Sequence, residues 1–189
     1  MKIVESILTK NPCYTAGRKI TVKGLMLHSV GCNQPKASVF INSWNSASYD
    51  RACVHGFIDA NDGTIYQTLP WNHRGWHCGS GSKGSGNNTH IGVEMCEPAC
   101  IKYTGGSSFT CSDTATAKAC AERTYQAAVK SLVLTLWRTV WLSAIRKATA
   151  GGLHPTMATR SICGRSLRWG IPWILSVKRS SWQWAVDLL

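Results

Sequence analysis

The chain has 189 residues, of which 44% are hydrophobic, enough to bury one real core, and one domain is the default. Its formal charge of +12 favours polyanionic partners. No run of about 18 or more apolar residues exists, so no membrane span is expected.

In chain order, Met1-Lys2-Ile3-Val4-Glu5-Ser6 lacks the apolar core of a signal peptide. Synthesis in the cytoplasm is therefore expected, with either work in the cytosol or exit by a route other than general secretion. Residues 1–24 read as a loop or arm. Leu25-Met26-Leu27-His28 reads as an apolar strand ending on a histidine, followed by a turn over 31–36. Residues 37–44 suit a short helix packing Val39, Phe40 and Trp44. A strand over 50–59 meets Asn61-Asp62-Gly63, a hairpin signal, and returns as Thr64–Leu69. Residues 70–86 form a long loop with two tryptophans, Trp71 and Trp76, and two histidines, His73 and His77, and loops of that length are functional or disordered. Thr89–Cys96 is the next strand, and Gly105-Gly106-Ser107-Ser108 is a turn. Ser112-Asp113-Thr114 can cap a helix from Ala115 to about Ala128, with Ala117, Ala121, Tyr125 and Val129 on one face.

The chain changes character near residue 129. Residues 1–128 hold twelve Lys/Arg and eight Asp/Glu, whereas 129–189 hold nine Lys/Arg and one acid, Asp187. Six of the nine tryptophans also follow residue 129, without an assignable period. Nine cysteines cannot all pair within one chain, and they read as mostly reduced thiols. In an oxidising medium a Cys96–Cys100 or a Cys111–Cys120 disulfide is open to the chain, and the spacing does not decide. The same four cysteines are a candidate structural zinc cluster, although they lack a C-x-x-C knuckle.

His28 and Glu94 stand out chemically. An imidazole at the end of an apolar strand and a carboxylate inside another are costly unless they find partners or perform chemistry. Amide hydrolysis at a catalytic zinc uses three protein ligands, an open position for water, and a separate carboxylate to move the proton. His55 is expected to be a strand residue satisfied by hydrogen bonds, His90 to cap or flank its strand, and His73 to be solvated. Trp76 either roofs the core or stacks against a sugar or peptide.

These segments resemble zinc-dependent N-acetylmuramoyl-L-alanine amidases, the family that includes peptidoglycan-recognition proteins. Leu25-Met26-Leu27-His28-Ser29-Val30-Gly31 resembles the first metal-ligand strand. Val54-His55-Gly56-Phe57-Ile58-Asp59 and Asp62-Gly63-Thr64-Ile65-Tyr66-Gln67 resemble the second strand and hairpin. Arg74-Gly75-Trp76-His77-Cys78-Gly79 resembles the "W-H-x-G" loop, and Asn88-Thr89-His90-Ile91-Gly92-Val93-Glu94 the "S-I-G-I-E" strand. The likeness covers roughly residues 20–128. It implies an α/β fold, with a central mixed β-sheet flanked by helices. It further implies His28 as a Zn2+ ligand, Glu94 as catalytic acid/base, and Trp76 and His77 at the substrate cleft.

The resemblance also implies two further zinc ligands from the C-terminal third: a His in a Gly-His-type motif and a later Asp or Cys. After residue 94 the only histidine is His154, in Gly152-Leu153-His154-Pro155, which is the remaining candidate ligand although its surroundings do not match the motif. The genetic code offers another account. Read from the third base of each codon, residues 155–164 permit Asn-His-Gly-Asp-Pro-Glu-His-Leu-Trp, and residues 139–149 permit Gly-Val-Val-Ile-Ser-His-Pro-Glu-Gly-His. Both strings look like the missing ligand region, in one consistent frame. A frameshift near 128–131 is therefore expected, with 1–128 the amidase-like part and 129–189 an out-of-frame remnant.

The expected function is peptidoglycan hydrolysis between N-acetylmuramic acid and L-alanine, as in a phage-type or prophage lysin acting on the cell wall. The competing expectation is an inactive muropeptide-binding protein with an incomplete zinc site. Peptidoglycan is the expected partner and anionic wall polymers are candidates, whereas nucleic acid is not expected.

Overall fold

The computed structural model describes residues 2–82, 84–106 and 108–133. His154 and the segment after Val133 lie outside the described residues. Five strands form the central sheet: β1 (Ile3–Glu5), β2 (Gly24–Ser29), β3 (Gly56–Ile58), β4 (Ile65–Gln67) and β7 (His90–Met95). Two ribbons complete the strands, β5 (Ser80–Gly81) with β6 (Gly84–Ser85), and β8 (Ile101–Gly105) with β9 (Ser108–Cys111). The α-helices among the described residues are α1 (Pro12–Thr15), α2 (Ala37–Trp44) and α3 (Thr114–Ala127), with a 3-10 turn at Gly86–Asn88 and a π-helical turn at Ala128–Val133.

The sheet order is β1-β4-β3-β7-β2. Only β3 and β4 are antiparallel; the other pairings are parallel. This is the mixed α/β sheet that the sequence predicts. Gly63 closes the β3–β4 hairpin at φ 73°, a conformation that favours glycine.

Period-two alternation sorts the strands' side chains. Leu25 and Leu27 of β2 join Ile91, Val93 and Met95 of β7 in one core, with Ile58, Ile65 and the end of α3 at Ala127 and Ala128. A second core holds Ala37, Val54, Phe57, Ala60, Cys96 and Cys120, with Phe40 and Trp44 against it. Phe40 stacks on Phe57 at 5.0 Å, and Trp44 meets Phe57 edge-on at 5.0 Å.

The supposed N-terminal arm contains β1, which pairs with β4, and α1, whose cap is Asn11. A three-residue strand is too short to show a period, so only its neighbour in space reveals it. The strand expected over 50–59 is regular only at Gly56–Ile58, because Cys53 pairs with Trp76 of the long loop instead of continuing the sheet. In α2, Val39 faces solvent while Phe40 and Trp44 pack. Asp113 caps α3 as expected, accepting from the Thr116 N–H at 3.0 Å. Its buried stripe runs through Ala117, Cys120, Ala121, Thr124 and Ala127, with Tyr125 only half-buried. The polar Thr124 fits that stripe because its hydroxyl donates to the Cys120 carbonyl.

The cysteines are free thiols among the described residues. The close approach is between Cys100 and Cys111 at 4.0 Å across the β8–β9 ribbon, a pairing that the spacing left unnamed. The ribbon's pairing, invisible in the cysteine spacing, decides this.

Candidate active site

Strands β2 and β7 lie side by side with His28 opposite Glu94 in register. Neighbouring strands are about 4.8 Å apart, so this pairing aims imidazole and carboxylate from the same face. They leave the face opposite Leu27 and Val93. Both are half-buried, not enclosed as an apolar run suggests, because alternation turns every second residue out of the core.

A cleft of about 460 Å³ opens over this pair. Met26, His28, Val54, Trp76, His77 and Glu94 line it, together with Arg51, Ala52, Cys78 and Gly79. The four residues His28, Glu94, Trp76 and His77, singled out from sequence, therefore share one cavity. Trp76 is 49% exposed and so serves as cleft wall, not core roof.

The loop carrying Trp76 and His77 is held by polar contacts. The buried Asn87 side chain accepts from the N–H of His77 at 2.7 Å and donates to the Cys78 carbonyl at 2.8 Å. Sequence reasoning missed Asn87; its signal was a polar residue just before the strand, next to the Gly/Ser-rich run. The His77 ring lies over Gly92, where a Cβ would come within 2.3 Å of His77 Cγ. Only glycine leaves that space.

Hydrogen bonds fix the tautomers. His77 Nε2 faces the His90 carbonyl at 3.2 Å, and a carbonyl only accepts, so Nε2 carries the proton. Its Nδ1 then accepts from His28 Nε2–H at 3.1 Å. Burial, with the neighbouring His28 and His55, lowers the His77 pKa to about 3. His55 is fully buried, donating from Nε2 to the His73 carbonyl at 2.8 Å and accepting from the Gly92 N–H at 3.0 Å. Burial lowers its pKa to about 4. It is the hydrogen-bonded strand neighbour that the sequence predicts. His90 opens β7, as expected. His73 is not solvated: it is buried and its ring meets Lys19, because the loop folds back onto residues 18–20.

The fully buried carboxylate is Glu97, which sequence reasoning passed over. Burial raises its pKa, opposed by the Tyr103 hydroxyl, which donates at 2.7 Å, and by the Ser29 hydroxyl and N–H groups of the β2–α2 loop. Glu97 thus fastens the loop that follows His28. Its signal was a second acid three residues after Glu94.

A zinc ion needs three protein donors at a catalytic site. Among the described residues no three His, Cys, Asp or Glu side chains converge, either here or at the cysteines. His28 and His77 alone fall short, so the described part of the cleft does not by itself fit the metal.

Residues 17–163 match the model of the N-acetylmuramoyl-L-alanine amidase family. The chain belongs to this family. It is similar to the amidase CwlH of Bacillus subtilis (strain 168), 51% identical over 80 residues, covering 42% of this chain and 30% of CwlH. The amidase XlyA of the same organism is 56% identical over 39 residues, covering 21% of this chain and 13% of XlyA. The chain thus matches well under two thirds of the length of these relatives. The solved catalytic domain of XlyA is 26% identical with a TM-score of 0.46, covering 68% of this chain and 76% of that one. No helix among the described residues is long and apolar enough to cross a membrane.

Proposed function

We propose that the cleft binds the muramoyl-peptide junction of peptidoglycan and that its chemistry is hydrolysis of the amide between N-acetylmuramic acid and L-alanine. The carrying observation is the in-register His28/Glu94 pair at a cleft walled by a half-exposed tryptophan. Trp76 offers a face for sugar or peptide. Glu94 takes a proton from the attacking water and returns it to the leaving amine. His77 orients the His28 ring through their shared hydrogen bond. Action is at the cell wall, and the basic chain favours anionic wall polymers as secondary partners.

His28 is the proposed first zinc ligand, and His154 a second. The frameshift reading supplies a different source for the missing ligands: codons after about 128 that encode them in another frame. The nucleotide sequence across codons 120–165 tests this, since codons incompatible with the two hidden strings remove it. A second reading, binding without turnover, is favoured by the lack of a three-donor cluster among the described residues.

Purified cell walls mixed with the protein separate these readings. New amino termini that disappear in Glu94→Gln support hydrolysis. Co-sedimentation without new termini supports the binder, and failure to bind overturns the cleft assignment.

A further inference from the structure

We propose that Arg51 recognises a carboxylate on the stem peptide and makes the cleft selective for acidic stems over amidated ones. This rests on the muropeptide reading of the cleft. Among the described residues lining the cavity, Arg51 is the only Lys or Arg, and Glu94 is the only carboxylate. The cavity is therefore polarised, with a reactive carboxylate and a permanent cation in one lining of otherwise apolar, imidazole or thiol character.

The backbone beside Arg51 is pinned. The Cys53 N–H donates to the Trp76 carbonyl at 2.9 Å, and the Trp76 N–H returns a bond to the Cys53 carbonyl at 2.8 Å. The buried Asn11 amide donates to the Ala52 carbonyl at 3.4 Å. These bonds tie the segment that carries Arg51 to the loop that carries Trp76 and His77. Arg51 itself is exposed, and its charge acts on the nearby Tyr49 hydroxyl. An anchored backbone with an exposed guanidinium fork suits recognition of a ligand carboxylate by two parallel N–H donors.

The chemistry of the substrate supplies the partner group. Beyond the L-alanine, the second stem residue carries either a carboxylate or its carboxamide. Two extended residues reach about 7 Å, a span compatible with one cleft. A carboxamide presents one acceptor and an N–H donor pair, so it meets the guanidinium with a clash of donors where the carboxylate makes two charge-assisted bonds.

The test uses the intact chain and two muramoyl tripeptides that differ only in carboxylate or carboxamide at the second residue. Calorimetry is expected to give about tenfold tighter binding of the carboxylate form, the scale of a charge-assisted hydrogen bond. Arg51→Gln should bring the two affinities together while thermal stability stays unchanged, and Arg51→Lys should keep part of the preference. Equal affinities in the unaltered protein overturn the assignment of Arg51 and leave the cleft reading intact. Binding of neither tripeptide overturns the cleft reading and this inference with it. Displacement by glycerol phosphate, without preference between the stems, overturns the inference by assigning Arg51 to a wall-polymer phosphate.

Discussion

The two faces of the β2–β7 pair carry opposite burdens although they alternate within the same twelve residues. One face presents Leu25, Leu27, Ile91 and Val93 to the core; the other presents Met26, His28, Gly92 and Glu94 to the cleft. The first face holds the strands together by removing apolar surface from water. The second contributes position: it spends a glycine to admit His77 and leaves an imidazole and a carboxylate half-exposed. Stability and chemistry can therefore be altered separately, one residue apart.

The largest expected contrast is in turnover. Glu94→Gln should lower release of amino termini from walls about 100- to 10,000-fold, the usual range for a lost acid/base. Its unfolding midpoint in urea should barely move; a large drop would show Glu94 to be a structural residue. Leu27→Ala, on the other face, should cost about 2–5 kcal/mol in the same titration, as a buried leucine does. Met26→Ala should cost less than half as much, and equal losses would erase the distinction between faces.

Gly92→Ala sits where the faces meet the loop. Its added methyl would overlap the His77 ring, so a loss of about 1–3 kcal/mol is expected. Imidazole NMR signals of His28 and His77 should shift together, because the rings share a hydrogen bond.

The effect of pH is milder. The folded pKa values of His55 and His77, about 4 and about 3, lie below the ordinary 6.5. The unfolded chain therefore binds protons first as pH falls. Their contribution is complete above pH 6.5 and is lost progressively as pH falls toward 4 for His55 and 3 for His77. Thermal melts should show Tm declining through that window. A flat profile would mean that the rings are more accessible than their burial indicates.

The smallest effect concerns the outlying ribbon. Mild oxidation with diamide should join Cys100 to Cys111, as peptide mapping would reveal, with little change at the cleft. Joining Cys96 to Cys100 instead would show that the ribbon's pairing does not hold in solution.

Much of this arrangement was legible in residue order. The β2 and β7 strands, the Gly63 turn, α2 and the Asp113 cap each carry a local signal: alternation, a glycine at positive φ, or a side-chain acceptor beside free N–H groups. The short β1 strand was not, because three residues have no measurable period and its pairing partner lies some sixty residues away. Glu97 was overlooked because its burial depends on a loop and a tyrosine supplied by other segments. His73 looked solvated for the matching reason: nothing in its neighbours announces that the loop folds back toward Lys19.

The sequence by itself determined the chemical inventory, the alternation that separates core from cleft, and the motifs that resemble the amidase family. Only the tertiary structure decided that His28 stands opposite Glu94, that His77 lies over Gly92, and that Arg51 enters the same cavity. Alternation tells which side of a strand a residue takes, but register and loop return are settled by long-range pairing, where hydrogen bonds and packing between distant segments outweigh any local preference.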